Sequence, residues 1–346
     1  MTPIDIIRCI FNASKILFDY KLSRFQVCLP ERNICDEILS SNNIIGWSLI
    51  DHAISNALDK LQPKVIIVND DVFIKRKPST FKQMKLIIVQ SAVMLPNNEY
   101  WRSTLYSQFL QEDCRPDIFC ASGVYFKEIK DEYDNLQKKT VIVGQPRFDE
   151  LYSIFRNKMA NLDNKSTDDA PVRILWTTQS HGIPYEENRR NITAIFDLLN
   201  NTNNIEVAIK LHPEEDQTAE MYSCLCEKFE NVKIFDGNAN LYDLLVDCDI
   251  LLTKTSTTAI EAAVIGKDVI VMDFSKGELN PYVKTGIAAG VFSEGELTQA
   301  VDNLMHDSIL KDRLKRARKN YLYQFIGDFD GFASDRIALL ISSLID

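Results

Sequence analysis

Ile205-Glu-Val-Ala-Ile-Lys210-Leu-His212-Pro213 opens the stretch that decides the fold. It continues through Ile250-Leu-Leu-Thr253, Thr255-Ser256-Thr257-Thr258, Glu261 and Val269-Ile-Val-Met272. The first segment reads as a strand that runs straight into a His-Pro turn. The second is a continuous apolar strand ending in consecutive hydroxyl side chains, and a helix begins with Glu261. The third is again a buried strand. Short continuous apolar runs of this kind mark parallel strands covered on both faces. The βαβ rhythm puts an imidazole, a set of hydroxyls and a helix N-terminus at the carboxyl ends of neighbouring strands. Ligands of open α/β sheets sit at that edge, and a helix N-terminus there attracts phosphate. The segment therefore predicts a site for a nucleoside diphosphate or a nucleoside monophosphate-sugar.

At 346 residues the chain has room for two domains. Its hydrophobic fraction of 45% and charged fraction of 25% are those of a globular protein. The net charge of −10 argues against nucleic acid as the main partner. Residues 1–150 balance 19 basic against 19 acidic side chains, so the whole excess falls on 151–346. Positive potential at the predicted site must then come from strand ends and helix dipoles. Eight cysteines are scattered, several in apolar runs as buried free thiols are. With no secretory leader to be read, the expectation is a reducing cytoplasm, with the inner face of the membrane as a variant. Cys224-Leu-Cys226 lacks the second pair that a zinc site needs. No apolar run reaches the roughly 18 residues that span a bilayer. Ile4 to Phe18 reads as an amphipathic helix, packed on the body or in peripheral contact with a membrane.

Outward from the deciding stretch, the rest of the chain has the same texture. In residues 1–157 a helix is expected over Trp47–Leu61. Strands are expected at Lys64–Asn69, Lys85–Gln90, Asp117–Ala121 and Thr140–Val143, with helices from Val124 and after Asp149. Residues 158–171 are polar and aperiodic and read as a linker. The second unit, 172–325, has strands at Val172–Thr177, 205–211, Val232–Phe235, Ile250–Thr253 and Val269–Met272. Its helices are expected at Asn188–Asn200, Thr218–Glu230, Asn240–Val246, from Glu261, and at Glu294–His306 and Ser308–Tyr323. A last helix over Ala333–Ile345, within 326–346, is expected to pack back toward the N-terminal domain. The fold class predicted is α/β, two Rossmann-like doubly wound domains facing a cleft, where ligands collect.

Four motifs occur in order: Gly144-Gln-Pro-Arg147-Phe-Asp149, Lys210-Leu-His-Pro213, the Thr255–Thr258 turn with Glu261-Ala, and Asp330-Gly-Phe-Ala-Ser-Asp-Arg336. In that order they resemble the GT-B fold enzymes of surface-carbohydrate synthesis. The set looks like capsule-type and polysialyltransferase-type glycosyltransferases. It is similar also to the glycerol-phosphate polymerases of teichoic acid and, more distantly, to non-hydrolysing UDP-N-acetylglucosamine 2-epimerases. The resemblance covers roughly residues 140–340. It implies a metal-independent, inverting glycosyltransferase that moves a sugar from a nucleotide-sugar donor to a glycan or lipid-linked acceptor, with no cofactor. The N-terminal half would take the acceptor and the C-terminal half the nucleotide.

The resemblance also assigns roles. His212 would donate to a phosphate oxygen that gains charge as the bond breaks; the bland reading is a histidine capping a strand. Pro213 fixes its turn. Thr255, Ser256, Thr257 and Thr258 offer hydroxyl and N–H donors, although an ordinary N-cap needs only one of them. Glu261 accepts from ribose hydroxyls or merely complements a helix dipole. Lys210 is a ligand contact or a solvated lysine. Gln179, Ser180 and His181, in the loop Thr177-Thr-Gln-Ser-His-Gly, would face the donor. Arg147 would neutralise phosphate or pair with Asp149. An inverting transferase needs a general base, and Asp70 and Asp71, at the end of a buried strand, are the candidates; acidic residues also commonly end strands.

Two Asp-x-Asp sequences, Asp247-Cys-Asp249 and Asp328-Phe-Asp330, have the form of a divalent-ion site. Neither follows a strand of the nucleotide-binding sheet, so both read as structural and no metal is expected. The basic run Lys311, Arg313, Lys315, Arg316, Arg318, Lys319 reads as a solvated helix face or a contact for anionic lipid. The alternatives kept open are the epimerase, a polyol-phosphate transferase and a silent nucleotide-sugar binding subunit. Val89-Gln90-Ser91-Ala92 lacks the acidic residue that the epimerase resemblance implies after that strand.

Overall fold

The computed structural model of the chain describes residues 58–69, 84–90, 116–125, 139–161, 170–179, 185–214, 219–275 and 280–345. It divides into two compact units. One takes in Met1–Ile88, Leu105–Ile118 and Leu344–Asp346, the other Val89–Thr104 and Phe119–Ser343. The first unit carries strands β1 (Val65–Asn69) and β2 (Lys85–Val89). Its buried side chains include Met84, Leu86 and Ile87. Asp117 accepts from the Leu86 N–H at 2.8 Å, and its own N–H returns a bond to Leu86 O. Of the expected Trp47–Leu61 helix, residues 58–61 are described and are helical. The expected N-terminal helix lies outside the described residues.

In the second unit β3 (Ile118–Ala121) and β4 (Thr140–Ile142) pair in parallel. Helix α1 (Phe148–Asn161) follows. Residues 158–161, expected to open the linker, form the last turn of this helix. Lys158, in its last turn, pairs with Asp247.

Six strands then form one sheet: β5 (Val172–Thr177), β6 (Ile205–Lys210), β7 (Val232–Phe235), β8 (Ile250–Thr253), β9 (Asp268–Met272) and β10 (Ala289–Val291). Their order is β10-β9-β8-β5-β6-β7, and every pairing is parallel. The helices between them are α2 (Tyr185–Asn201), α3 (Ala219–Lys228), α4 (Leu241–Asp247), α5 (Thr258–Val264) and α6 (Pro281–Lys284). After β10 come α7 (Leu297–His306), α8 (Ser308–Phe325) and α9 (Ala333–Ile345).

Strand alternation sends side chains to two cores. Ile174, Trp176, Ile209, Leu252 and Met272 pack on one face with Ile195, Tyr222 and Val301. Leu175, Leu251, Val269 and Val271 pack on the other with Leu245, Ile260, Tyr282 and Phe325. Both faces are covered, so the central strands read as uninterrupted apolar runs. The chain runs outward from β5 through β6 to β7, then crosses back to place β8 on the other side of β5. The sheet therefore has its switch point between β5 and β8, where the loops leave in opposite directions.

Two motifs far apart in sequence are tied together at α9. Asp149 accepts from the N–H groups of Ala333 (3.1 Å) and Ser334 (2.8 Å), capping that helix. Arg336 donates to Val143 O at 3.0 Å and pairs with Asp330. Gly144, at φ +86°, supplies a left-handed turn that a side chain would strain. The basic run on α8 divides: Lys311, Arg313, Lys315, Arg316 and Lys319 are exposed. Arg318 departs from that face. It is buried against Asp268 and the Lys267 carbonyl, because the side opposite the solvated stripe meets the start of β9. Among the described residues no helix is long and apolar enough to cross a membrane.

Candidate functional site

Three loops leave the carboxyl edge of the sheet around the switch point: those after β5, β6 and β8. They are bonded to one another. The Gln179 side chain accepts from the Thr255 N–H at 2.8 Å and donates to the Thr255 hydroxyl at 3.1 Å. Thr177 and Thr258 share a hydroxyl contact at 3.2 Å. Thr178 reaches the loop after β6, donating its N–H to Lys210 O and accepting from the His212 N–H at 2.9 Å.

The His-Pro turn is held from below. Lys210 is buried, not solvated, and its ammonium donates to the carbonyls of Leu211 (3.1 Å) and Gly237 (2.9 Å). Burial pulls it below the ordinary lysine range, with the Asp236 charge acting against that. Gly237 is pressed against the turn: a Cβ there would lie 2.6 Å from Pro213 Cα and 3.1 Å from His212 O. The half-buried His212 ring accepts the Glu214 N–H at Nδ1, 3.3 Å away. A neutral imidazole that accepts at Nδ1 carries its proton on Nε2, so it is a donor there.

The hydroxyl loop after β8 divides by direction. Thr255 is exposed, Ser256 and Thr257 are half-buried, and Thr258 faces inward to Thr177 and Thr253. The Thr257 side chain makes no cap bond to α5. The N–H groups of Thr258, Ala259 and Ile260 are already bonded to the Ser256 hydroxyl, Ser256 O and Thr257 O. Anion contacts would thus fall chiefly to hydroxyls at 255–257.

Sequence reasoning missed the buried cation in the same loop. Lys254 contacts Glu187 of α2 at 2.5 Å, Ser275 at 3.2 Å and Asp273 at 3.8 Å. Asn280 clips this cluster by donating to Lys254 O (3.0 Å) and Asp273 (3.2 Å). The signal available was a lysine directly after an apolar strand, where a solvated residue has no place.

Glu261 lies in the first turn of α5, wholly buried, and its Oε1 pairs with the Arg147 guanidinium. Arg147 thus takes Glu261, whereas Asp149 serves α9. The other oxygen, Oε2, is buried with no hydrogen-bond partner among the described residues. Burial pushes the Glu261 carboxyl above the usual carboxylate range, and Arg147 pulls it back in part. Ser180, His181, Asp70 and Asp71 lie outside the described residues. Of the two Asp-x-Asp sequences, Asp247 pairs with Lys158, Asp249 with Arg173 and Asp330 with Arg336. These carboxylates are held by cations.

Comparison with known proteins follows the same lines. A family model described as CDP-glycerol:poly(glycerophosphate) glycerophosphotransferase matches residues 54–343. Among solved structures, UDP-GlcNAc 2-epimerase from Neisseria meningitidis bound to UDP-GlcNAc is 16% identical, with 88% of this chain and 82% of that chain covered and a TM-score of 0.58. The Methanocaldococcus jannaschii UDP-GlcNAc 2-epimerase in complex with UDP-GlcNAc and UDP is 14% identical, covering 86% and 81%, with a TM-score of 0.57. The wall teichoic acid polymerase TagF is 14% identical, covering 89% and 75%, with a TM-score of 0.51. At such identities these likenesses show the fold, which is GT-B. No curated protein matches the sequence.

Proposed function

Because the chain belongs to the CDP-glycerol:poly(glycerophosphate) glycerophosphotransferase family and is a transferase of GT-B fold, we propose that it moves a phosphate-linked polyol from a cytidine-diphosphate-activated donor to a hydroxyl acceptor on a growing surface polymer. The observation that carries this reading is that the family match spans all three loops around the switch point. The acceptor oxygen attacks the distal phosphorus, the bond to the bridging oxygen breaks, and CMP departs. His212 is set to donate to phosphate oxygen as charge develops there. Thr255, Ser256 and Thr257 add neutral donors, and Glu261 takes ribose hydroxyls. The base that receives the acceptor proton would be Asp70 or Asp71.

The sugar-transfer reading uses the same loops but breaks a different bond. A glycosyltransferase that uses a UDP-sugar cleaves carbon–oxygen and releases the nucleoside diphosphate. The family match supports phosphorus–oxygen cleavage as the first reading. Gln90 weighs against epimerisation: it sits where an acidic residue is expected and its Oε1 accepts from the Ser122 N–H and hydroxyl at 3.0 and 2.9 Å. The deciding assay supplies CDP-glycerol, CDP-ribitol and UDP-sugars with a polyol-phosphate acceptor and identifies the released nucleotide. CMP supports the proposal; UDP with a new glycosidic bond replaces it with sugar transfer. The exposed cations of α8 further suit a lipid-linked acceptor at an anionic membrane. Failure to sediment with phosphatidylglycerol vesicles would remove that part.

A further inference from the structure

The Arg147–Glu261 pair has a feature that its ion pair does not explain. Glu261 is fully buried, and one of its oxygens has a cation while the other has no hydrogen-bond partner among the described residues. A buried acceptor left without a donor is costly, more so on a charged group. The groups that face it do not remedy this. Tyr242 of α4 donates its hydroxyl to Arg147 O at 3.1 Å. Tyr282 of α6 directs its hydroxyl to Thr255 O at 3.5 Å. Burial and the nearby Glu261 charge keep both phenols in their neutral form. Tyr321 of α8, beside Tyr282, is neutral for the same reason of burial. Among the described residues Arg147 is therefore the one cation set against the carboxylate, and its side chain is 41% exposed.

We propose that Arg147 is a positioning residue that acts through Glu261: it holds one carboxylate oxygen so that the other stays an acceptor for the vicinal hydroxyls of a bound nucleotide. This rests on the reading that a nucleotide binds at these loops. An ionised carboxylate only accepts, so the vacant oxygen selects for a hydroxyl-bearing sugar and against a deoxy one. Without the guanidinium, burial favours the protonated acid. One oxygen then becomes a donor, and the preference for hydroxyls weakens wherever that form prevails. The arginine acts on charge and aim, not by touching the sugar.

The test compares CMP with 2′,3′-dideoxy-CMP by titration calorimetry from about pH 6 to about pH 9. In the unaltered chain CMP should bind about tenfold or more tightly than its dideoxy analogue, the worth of one hydrogen bond to a charged group. Arg147→Met should lose most of that preference at low pH and recover it as the pH rises. Arg147→Lys, which keeps the charge, should restore much of it. Arg147→Met combined with Glu261→Gln leaves no lone buried charge. If Arg147→Met alone fails to fold, this double variant replaces it and should show a small preference that does not change with pH. The proposal is overturned if Arg147→Met keeps the preference and pH profile of the unaltered chain, or if the double variant keeps both. Absence of CMP binding to the unaltered chain removes the cytidine-donor reading and this inference together. Binding of CMP with no dideoxy discrimination removes this inference alone.

Discussion

Gly237→Ala tests whether the His-Pro turn is held as tightly as its contacts imply. The glycine's φ is not left-handed, so alanine meets no conformational penalty there. The obstacle is steric: the new methyl would stand 2.6 Å from Pro213 Cα and 3.2 Å from Pro213 N. Both are backbone atoms, which have no rotamer to escape through. The turn must shift by roughly 1 Å to restore van der Waals contact, and overpacking of this kind costs about 1–3 kcal/mol. Lys210 resists the shift, because its ammonium ties Gly237 O to Leu211 O on the other side. A displacement of about 1 Å at a catalytic group lowers turnover by about 100-fold. Nucleotide affinity should fall much less, since Thr255 and Gln179 lie on the other loops. The control is Gly295→Ala, where a Cβ meets nothing within 4 Å, and its stability should change by no more than about 0.5 kcal/mol. Steady-state kinetics with melting curves on both variants decide the matter. Turnover by Gly237→Ala equal to that of the unaltered chain would refute the view that the turn's position matters.

Other outcomes follow from the same contacts. Lys210→Met removes a buried ammonium but leaves two carbonyls unpaired, so it should destabilise by about 2–4 kcal/mol and lower turnover more than donor affinity; denaturant titration and kinetics read both. Lys254→Met removes the cation from Glu187 and from the more distant Asp273 and should cost about 3–5 kcal/mol. Adding Glu187→Gln should restore part of it, and strict additivity in the double-mutant cycle would show that the two do not interact. Donor affinity should change little when ionic strength rises from about 0.05 M to about 0.5 M, because the cations near the loops are taken by internal partners. A steep fall measured by calorimetry would count against that.

Much of the sheet was legible because a strand buried on both faces has to be an apolar run. Ile250–Thr253, with all four residues buried, shows why. The missed elements lacked that signal. The strand Ala289-Gly-Val291 has three residues with a glycine in the middle, and Pro281–Lys284 makes a single turn. His212 and the Thr255–Thr258 hydroxyls were legible because polar residues at strand ends break the apolar pattern. The partners of charges were not. Glu187 reaches Lys254 across 67 residues and Arg147 reaches Glu261 across 114. Such pairs depend on which strands neighbour one another, and the crossing from β7 back to β8 is a tertiary fact. Arg318 fell inside a basic run and looked solvated; only the packing of α8 against the start of β9 singles it out.

The committed cations bear on how an acidic unit could hold the polyanionic donor proposed for it. Lys254 faces two carboxylates, Arg147 faces Glu261, and Lys210 is spent on two carbonyls. Each fixes a loop and contributes little net positive charge beyond it. Phosphate would then be met by dipoles: the hydroxyls of Thr255, Ser256 and Thr257 and the Nε2–H of His212. Dipoles held in place by buried ion pairs need not reorganise as charge moves during transfer, and preorganisation of that kind is where electrostatic catalysis gains most. A mobile surface lysine would bind the donor's existing charge equally before and after the bond breaks, which tightens binding without speeding the step. The buried pairs of this edge are therefore better understood as the frame that aims neutral donors than as a failed anion site.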